Sequence, residues 1–382
     1  MTNALGTSNN EPSAPTNDND GDQKQWRQLR VEKLIDESSV IRSFHFEPVD
    51  GEALSSFDAG QHLPIRFMPF GGSVPLLRTY TLSTAPSDNL YRISVKRQGI
   101  GSSHLHDNVK VGDIIEARAP AGAFTMDAHE ARPAVLLGAG VGVTPMLAML
   151  RHIVAVGRNA ARIRPTVFFY AARSRAERAF DRELAELIAQ ADGAVAIKRV
   201  LGTADDAQIG TDYDAIGQID LALLKSTLGF DDHEYYMCGP PPFMQSVYDA
   251  LRSVNVADKR IHAEAFGPAS LQRTPDVAAP PAAPLLAAAD AAVPVQFRRS
   301  DVEARWEPGA GSLLELAESS GLTPDYGCRG GRCGTCRTRI IAGKVAYATQ
   351  PEFDVEPGEA LICCAMPAVG SDADTNKLIL DL

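Results

Sequence analysis

The stretch CRGGRCGTC, residues 328–336, packs three cysteines, three glycines and two arginines into nine positions, and Cys363 and Cys364 follow downstream. Five of the six cysteines in the chain therefore lie between Cys328 and Cys364. In a reducing compartment such clustering points to metal or redox chemistry more than to disulfides. The spacing Cys328-x4-Cys333-x2-Cys336, with Cys363 further on, can present four thiolates to one centre. A loop wrapped around a small inorganic core needs backbone amides turned toward its sulfurs and little side-chain bulk, which gives the glycines a cause. The competing readings are a zinc knuckle and a disulfide staple. Zinc sites usually join one C-x2-C to a second such pair or to a histidine pair, and neither follows here.

A chain of 382 residues exceeds one ordinary core, so two or three domains are expected. Hydrophobic residues at 45% and charged residues at 22% are the composition of a folded globular protein. The formal charge, 37 − 48 = −11, excludes a general attraction to nucleic acid or anionic lipid. Residues 1–25 have no apolar core of the signal-peptide kind and read as a disordered tail. The longest apolar run, AVLLGAGVGVTPMLAML, is broken by three glycines and Pro145 and falls short of the roughly 20 residues of a membrane span. A cytoplasmic monomer is the expectation.

Residues 26–130 consist of short alternating runs (VEKLI, IRSFHF, QHLPIRF, RTYTLS, YRISVKR) between Gly, Pro and Asp turns, the pattern of an antiparallel β-barrel. From 131 to 268 strands alternate with helices: VLLGAG then PMLAMLRHIVAV, TVFFYAA then RAERAFDRELAELIAQ, YYMCGP then PFMQSVYDALRSV. That rhythm predicts a parallel α/β domain, with Phe180, Leu184, Leu187 and Ile188 as one buried stripe. Residues 269–294 are Ala- and Pro-rich without periodicity and read as a semi-extended linker. A third domain, 295–382, carries the cysteine loop.

That loop resembles the plant-type ferredoxins, in which four thiolates hold a 2Fe-2S cluster. The resemblance implies Cys328, Cys333, Cys336 and Cys363 as ligands and a β-grasp (α+β) fold. LICCAMP looks like the ferredoxin L-x-C-x-A-x-P segment with Cys363 at the ligand position; Cys364, the other candidate for fourth ligand, is then a packed neighbour.

RTYTLS resembles the R-x-Y-[ST] flavin signature of the ferredoxin–NADP reductase superfamily. There Arg78 offers a fixed fork to a pyrophosphate, Tyr80 an aromatic face with a hydroxyl tip, and Thr81 a hydroxyl near the flavin N5, with Ser83 closing the motif. Threonine stands where the superfamily usually has serine. GIGSSHLHDNVKVGD resembles the turn and helix that cradle flavin phosphates, implying contacts from Gly101, Ser102 and Ser103; His104 and His106 are given no role. The flavin implied is FAD, although reductases of this domain order also use FMN.

VLLGAGVGVTPM sets Gly138, Gly140 and Gly142 between a strand and a helix with Thr144 as N-cap and Pro145 at N1, a close-approach site for a dinucleotide pyrophosphate. It is similar to the superfamily's version of that turn. CGPPPFM resembles the C-G-x-x-x-[FM] element, which implies Cys238, Gly239 and Pro240 beside the nicotinamide. HAEAFGP resembles the ending of flavohaemoprotein reductase domains, where Phe266 covers the flavin ring and Glu264 positions the nicotinamide or relays a proton. Arg173 and Arg175, with Arg178 nearby, follow the second parallel strand with no acid at its end, a slight leaning toward NADPH over NADH.

Taken in order, the modules resemble the reductase component of a multicomponent oxygenase, or the reductase serving hybrid-cluster proteins. The implied activity is electron transfer from NAD(P)H through FAD to a 2Fe-2S cluster and on to a partner protein, a Rieske-type terminal oxygenase first among the candidates, with Thr81, Cys238, Glu264 and Phe266 as catalytic residues. Ferric or flavin reductase and a redox-sensing module without turnover are the alternatives. No organic-substrate pocket, membrane or nucleic-acid partner is implied.

Overall fold

Alternating apolar residues in the first hundred positions build six antiparallel strands: β1 (Arg27–Asp36), β2 (Ile41–Pro48), β3 (His62–Phe67), β4 (Leu76–Thr81), β5 (Tyr91–Lys96) and β6 (Ile114–Ala117). They run in the order β4-β3-β6-β1-β2-β5, and a bridge between Leu82 and Ile93 joins the two outer strands into a barrel. β6, only four residues long, was not legible in the alternation. On β3, Leu63, Ile65 and Phe67 enter the barrel core, so the period of two turns His62, Pro64 and Arg66 outward. Helix α1 (Ile100–Asn108) follows β5. The computed structural model describes residues 26–69, 75–229, 232–266, 271–276, 285–322, 324–326, 330–331, 334–348, 350–351, 353, 355–369 and 377–382. The expected tail 1–25 and the ligand candidates Cys328 and Cys333 lie outside the described residues.

The second unit is a parallel sheet in the order β10-β9-β8-β7-β11-β12, built from β7 (Ala134–Ala139), β8 (Thr166–Ala172), β9 (Val195–Leu201), β10 (Ala215–Ile216), β11 (Glu234–Cys238) and β12 (Ile261–Glu264). Its helices are α2 (Val143–Asn159), α3 (Asp181–Ala189), α4 (Leu221–Thr227) and α5 (Pro241–Ser253). Of the expected stripe, Phe180, Leu184 and Leu187 are buried, and Ile188 is half-buried against the same cluster. Two expectations are corrected at α2. Gly142, not Thr144, is its N-cap, because the short turn Gly140–Gly142 runs directly into the helix; Thr144 Oγ1 instead donates back to the Val141 carbonyl at 2.9 Å. The apolar segment is also longer than the sequence suggested. Gly140–Asn159 makes 20 continuous helical residues, apolar and long enough to cross a membrane by those measures alone. Met146 to Leu150 are wholly buried in the α/β core, which accounts for the apolarity.

The third unit is a five-stranded sheet, β14-β13-β19-β15-β17, with a separate pair β16-β18 and helix α6 (Leu313–Ser319). Its strands are β13 (Val293–Phe297), β14 (Val302–Trp306), β15 (Arg337–Ala342), β16 (Val345–Tyr347), β17 (Glu359–Leu361), β18 (Ala365–Pro367) and β19 (Leu378–Leu380). The antiparallel β13–β14 hairpin, the parallel β13–β19 pairing and the helix give the α+β architecture expected of a ferredoxin domain. Ser312 and Glu315 form a reciprocal capping box that starts α6.

The described start of the connecting segment is anchored, mainly through its side chains. Residues 271–276 are fastened to the α/β unit: the Thr274 amide donates to Tyr248 Oη at 2.6 Å, Arg273 to the Ile261 carbonyl at 2.7 Å, and Arg252 pairs with Asp276 at 2.5 Å. The Arg and Asp of QRTPD, not the Ala/Pro bias, decide that stretch.

Candidate functional site

At the barrel mouth a cleft of about 430 Å³ is walled by Arg78, Tyr80, Thr81, Gly101, Glu264 and Phe266, among others. Four separate sequence motifs, Val141 and Thr144 of VLLGAGVGVTPM among them, thus converge on one cavity. β4 supplies Arg78 and Tyr80 on one face; the Arg78 guanidinium is held by donation to the Leu77 carbonyl at 2.7 Å and lies against Gly101, where a Cβ would stand 3.1 Å from Nε. Burial pushes the Tyr80 hydroxyl up to about 12, with the Arg78 charge pulling weakly the other way, so it is a neutral donor at any working pH.

The phosphate-turn residues divide. Gly99, at φ +83, starts α1, and Gly101 and Ser102 line the cleft. The Ser102 hydroxyl is already used, donating to the Gln98 carbonyl at 2.6 Å and accepting from the Gln98 amide at 2.7 Å, which braces the turn. Ser103 is not part of the cleft wall, and its amide donates to the Gly99 carbonyl at 3.0 Å. Ser83 is fully buried in a hydroxyl chain, 2.8 Å from Ser94 Oγ, and does not face the cleft. Alternation alone would keep Ser83 on the side of Thr81; it lies beyond the end of β4, and its bond to Ser94 on β5 turns it inward.

The parallel sheet aligns the nicotinamide motifs by register. Cys238 pairs with Gly138 on one side and Glu264 on the other, so three strand ends stand abreast. Gly142 has no room for a side chain, since a Cβ would run into the Cys238 carbonyl. Val141 and Thr144 reach the cleft, while Pro145 is buried within α2, Gly140 (φ +55) stands in the turn and Gly239 packs on Phe243. Pro240 is the N-cap of α5. Glu264 and the 41%-exposed ring of Phe266 line the cavity; Cys238 is wholly buried behind them. Arg173 and Arg175 already face carboxylates, Glu177 at 3.5 Å and Asp212 at 3.3 Å, and Arg178 is buried against Asp181.

In the third unit the antiparallel pairing of Arg337 with Leu361 brings Cys336 and Cys363 to one end of β15 and β17, both buried. Burial pushes the Tyr347 hydroxyl up to about 12, against the Leu361 amide that donates to it at 3.1 Å, with Cys364, Cys336 and Cys363 adding smaller upward contributions. Gly334, at φ +69, has Phe353 2.5 Å from where its Cβ would stand. Cys364 Sγ lies 3.5 Å from the Leu361 carbonyl, a packing position.

A second crevice, about 580 Å³, joins this unit to the barrel: Pro64, Arg118 and Ala121 face Thr335, Cys336 and Arg337, and Arg118 forms an ion pair with Asp325. Trp26 stacks on two guanidinium groups, Arg66 at 4.3 Å and Arg118 at 4.5 Å. Three residues at these seams escaped the sequence reading: His62 in the first cleft, and Arg92 with Glu183 between barrel and α3. None belongs to a motif.

The residues present fit a bound flavin dinucleotide: a guanidinium against a side-chain-free turn, a buried aromatic hydroxyl, and an imidazole nitrogen of His62 buried without a partner. A flavin cleft opening onto a parallel nucleotide-binding sheet, with buried thiols across a second seam, defines an NAD(P)H-linked flavin and iron–sulfur oxidoreductase. Residues 28–126 match the oxidoreductase FAD-binding domain, 136–249 the oxidoreductase NAD-binding domain, and 295–368 the 2Fe-2S iron-sulfur cluster binding domain. The chain belongs to the ferredoxin–NADP reductase superfamily, as a three-domain reductase carrying FAD, NAD(P)H and 2Fe-2S modules. A flavohemoprotein of Bordetella pertussis is 39% identical over 65% of this chain and 62% of its own length. The FAD/NAD-binding domain of nitric oxide dioxygenase from Vibrio cholerae O1 biovar El Tor is 35% identical, covering 63% of this chain and 99% of that one at a TM-score of 0.56. Phthalate dioxygenase reductase, 24% identical, covers 94% of this chain and 98% of its own at 0.58, a likeness of fold across all three units. The chain spans about three fifths of the length of the curated flavohemoproteins it matches.

Proposed function

We propose that the chain delivers electrons from NAD(P)H to a separate protein acceptor, a terminal oxygenase of Rieske type. The observation that carries the reading is the outer face of β3. His62 lines the flavin cleft and Pro64 lines the ferredoxin crevice. Two residues of strand span about 7 Å, so the two redox sites meet across one short piece of backbone. FAD, when bound, supplies the step between a two-electron donor and a one-electron cluster.

The protein's own part is placement. Arg78 and the Gly99–Ser102 turn would hold the pyrophosphate, and Tyr80 and Thr81 the ring. Phe266 shields the face where nicotinamide enters, keeping water out until the donor displaces it. Glu264, at the cleft wall, is placed to orient the carboxamide or carry a proton. Cys238 supports that wall from behind. Cys328, Cys333, Cys336 and Cys363 would hold the cluster. The accompanying domain divisions are 26–130, 131–268 and 295–382, with 269–294 as the connecting segment. Arg173 and Arg175 meet Glu177 and Asp212 only in exposed contacts of 3.5 and 3.3 Å, which hold little, so the slight leaning toward NADPH stands.

The test is an anaerobic titration with NADH and, separately, NADPH, following flavin and cluster absorbance together, then adding a Rieske oxygenase. Flavin bleaching, cluster reduction and re-oxidation by the oxygenase support the proposal. Bleaching without cluster reduction makes the third unit accessory or sensory and overturns it.

A further inference from the structure

Arg118 reaches from the barrel to the ferredoxin unit, and hydrogen bonds alone do not fix its side chain. Its amide donates to the Pro64 carbonyl at 3.0 Å, its guanidinium pairs with Asp325 across the seam, and Nε is buried without a hydrogen-bond partner. One ion pair to a carboxylate that is 41% exposed leaves a planar guanidinium free to turn.

The indole of Trp26 supplies the missing hold. The Arg118 guanidinium stands 4.5 Å from its ring centroid, within the range of a cation–π contact. The ring is itself held, since Arg66 lies 4.3 Å from the same centroid and is tied to Glu116 by two bonds, at 2.9 and 3.0 Å. Arg66 is in register with Glu116 across β3 and β6, and Arg118 follows Glu116 by two residues, so all three share the outer face of the barrel. Trp26 takes no part in the barrel core. It lines a cavity of about 520 Å³ on the barrel side of Arg118, whereas the crevice that holds Asp325 and Cys336 is lined by Arg118 and not by Trp26. Trp26 therefore meets the ferredoxin unit through Arg118.

We infer that Trp26 is a positioning residue for electron transfer from flavin to cluster: it holds the Arg118 guanidinium ready for Asp325 and so sets how the ferredoxin unit docks on the barrel. The inference rests on the electron path proposed above. A side chain that is already ordered loses less rotamer freedom on docking, so the docked arrangement gains population. A stacked guanidinium also keeps its charge for the carboxylate, and the pairing stays reversible.

Full-length wild type, Trp26→Leu, Trp26→Phe, Asp325→Asn and the Trp26→Leu/Asp325→Asn double variant, each loaded with FAD and cluster, are mixed rapidly with NADPH under anaerobic conditions. Leucine keeps apolar bulk without an aromatic face. Trp26→Leu should leave flavin reduction within about twofold of wild type and slow cluster reduction about fivefold, the size of one cation–π contact. Trp26→Phe, which keeps a ring face, should fall between. In the Trp26→Leu background Asp325→Asn should slow cluster reduction by less than about twofold more, because the two act through one side chain. Before any donor is added, amide exchange of residues 334–339 should be faster in both Trp26→Leu and Asp325→Asn than in wild type. An unchanged cluster rate in Trp26→Leu, effects of the two substitutions that simply multiply, or unchanged exchange would overturn the inference. If Trp26→Leu does not fold, Trp26→Gln is read by the same measurements with the same outcomes. Wild type whose cluster is never reduced overturns the proposed function instead, so the two failures are distinguishable.

Discussion

Removing Glu183 should loosen the seam between barrel and nucleotide domain more than any exposed ion pair in the molecule. Arg92 on β5 meets Glu183 on α3 through two bonds, 2.8 and 3.1 Å, with side chains only 6% and 18% exposed. The same guanidinium donates to Ser83 Oγ at 2.9 Å, and Arg151 also pairs with Glu183. Burial pushes the Glu183 carboxyl up, but hydrogen bonds and charge from Arg92 and Arg151 outweigh it and hold the group below its ordinary value of 4.5. Glu183→Ala leaves a buried guanidinium without its counter-charge, a loss of about 3 kcal/mol by the usual cost of breaking such a pair. A double-mutant cycle with Arg92→Ala, read by chemical denaturation with circular dichroism and flavin fluorescence as independent probes, should give a coupling of about 2 kcal/mol. The pair is buried, so 1 M salt should change the coupling little. A depressed carboxyl contributes stability above its unfolded pKa, and that contribution is lost as pH falls through the folded value. The gap between wild type and Glu183→Gln should accordingly close on the acid side of 4.5. A coupling below about 0.5 kcal/mol, the level of exposed pairs, would refute the reasoning.

Cys363→Ser should abolish the cluster's visible absorbance while NAD(P)H still bleaches the flavin, and Cys364→Ser should keep the cluster; the reverse pattern would reassign the fourth ligand. Asp325→Asn removes the ion pair with Arg118, whose side chains are 13% and 41% exposed. It should cost about 1 kcal/mol or less in stability yet slow cluster reduction in rapid-mixing experiments, and raised salt should mimic it in wild type. Thr81→Ala, which removes the hydroxyl from the cleft wall, should slow flavin reduction about tenfold, the effect of one lost hydrogen bond, with Thr81→Ser restoring it.

The contiguous motifs were legible because each folds as one local unit. RTYTLS is the last four residues of β4 and the two after it, CGPPPFM is a strand end and a helix start, and the order of the modules set the architecture. What escaped depends on contacts between segments distant in sequence. Ser83 shares the flavin motif with Thr81 but faces a buried serine chain from β5, and no local pattern reports that. The start of α2 moved upstream because a turn of glycines fused with the helix, against the preference that favoured Thr144 as cap. His62 sits in GQHLPIRF, an ordinary alternating strand; only the approach of Gly122 and Thr81 makes its ring a cleft wall. Arg92 and Glu183 are 91 residues apart, and each alone reads as a solvated charge.

The two seams of this chain differ in kind, and that difference bears on how an outside acceptor could be served. Between barrel and nucleotide domain the Arg92–Glu183–Arg151 network is buried, and the hydride donor has to be held in one geometry, which a rigid seam favours. Between barrel and ferredoxin domain the named ion pair is partly exposed and borders a crevice of about 580 Å³, so water and salt reach it. Cys336 lines that same crevice. A contact that receives electrons from the flavin side and then has to expose a cluster edge to another protein cannot be strong, since its undocking free energy would add to the barrier of every turnover. On the proposed reading, with a separate protein as acceptor, cluster reduction in the docked state and acceptor reduction after release would place opposite demands on Asp325, and raised salt should slow the first while speeding the second.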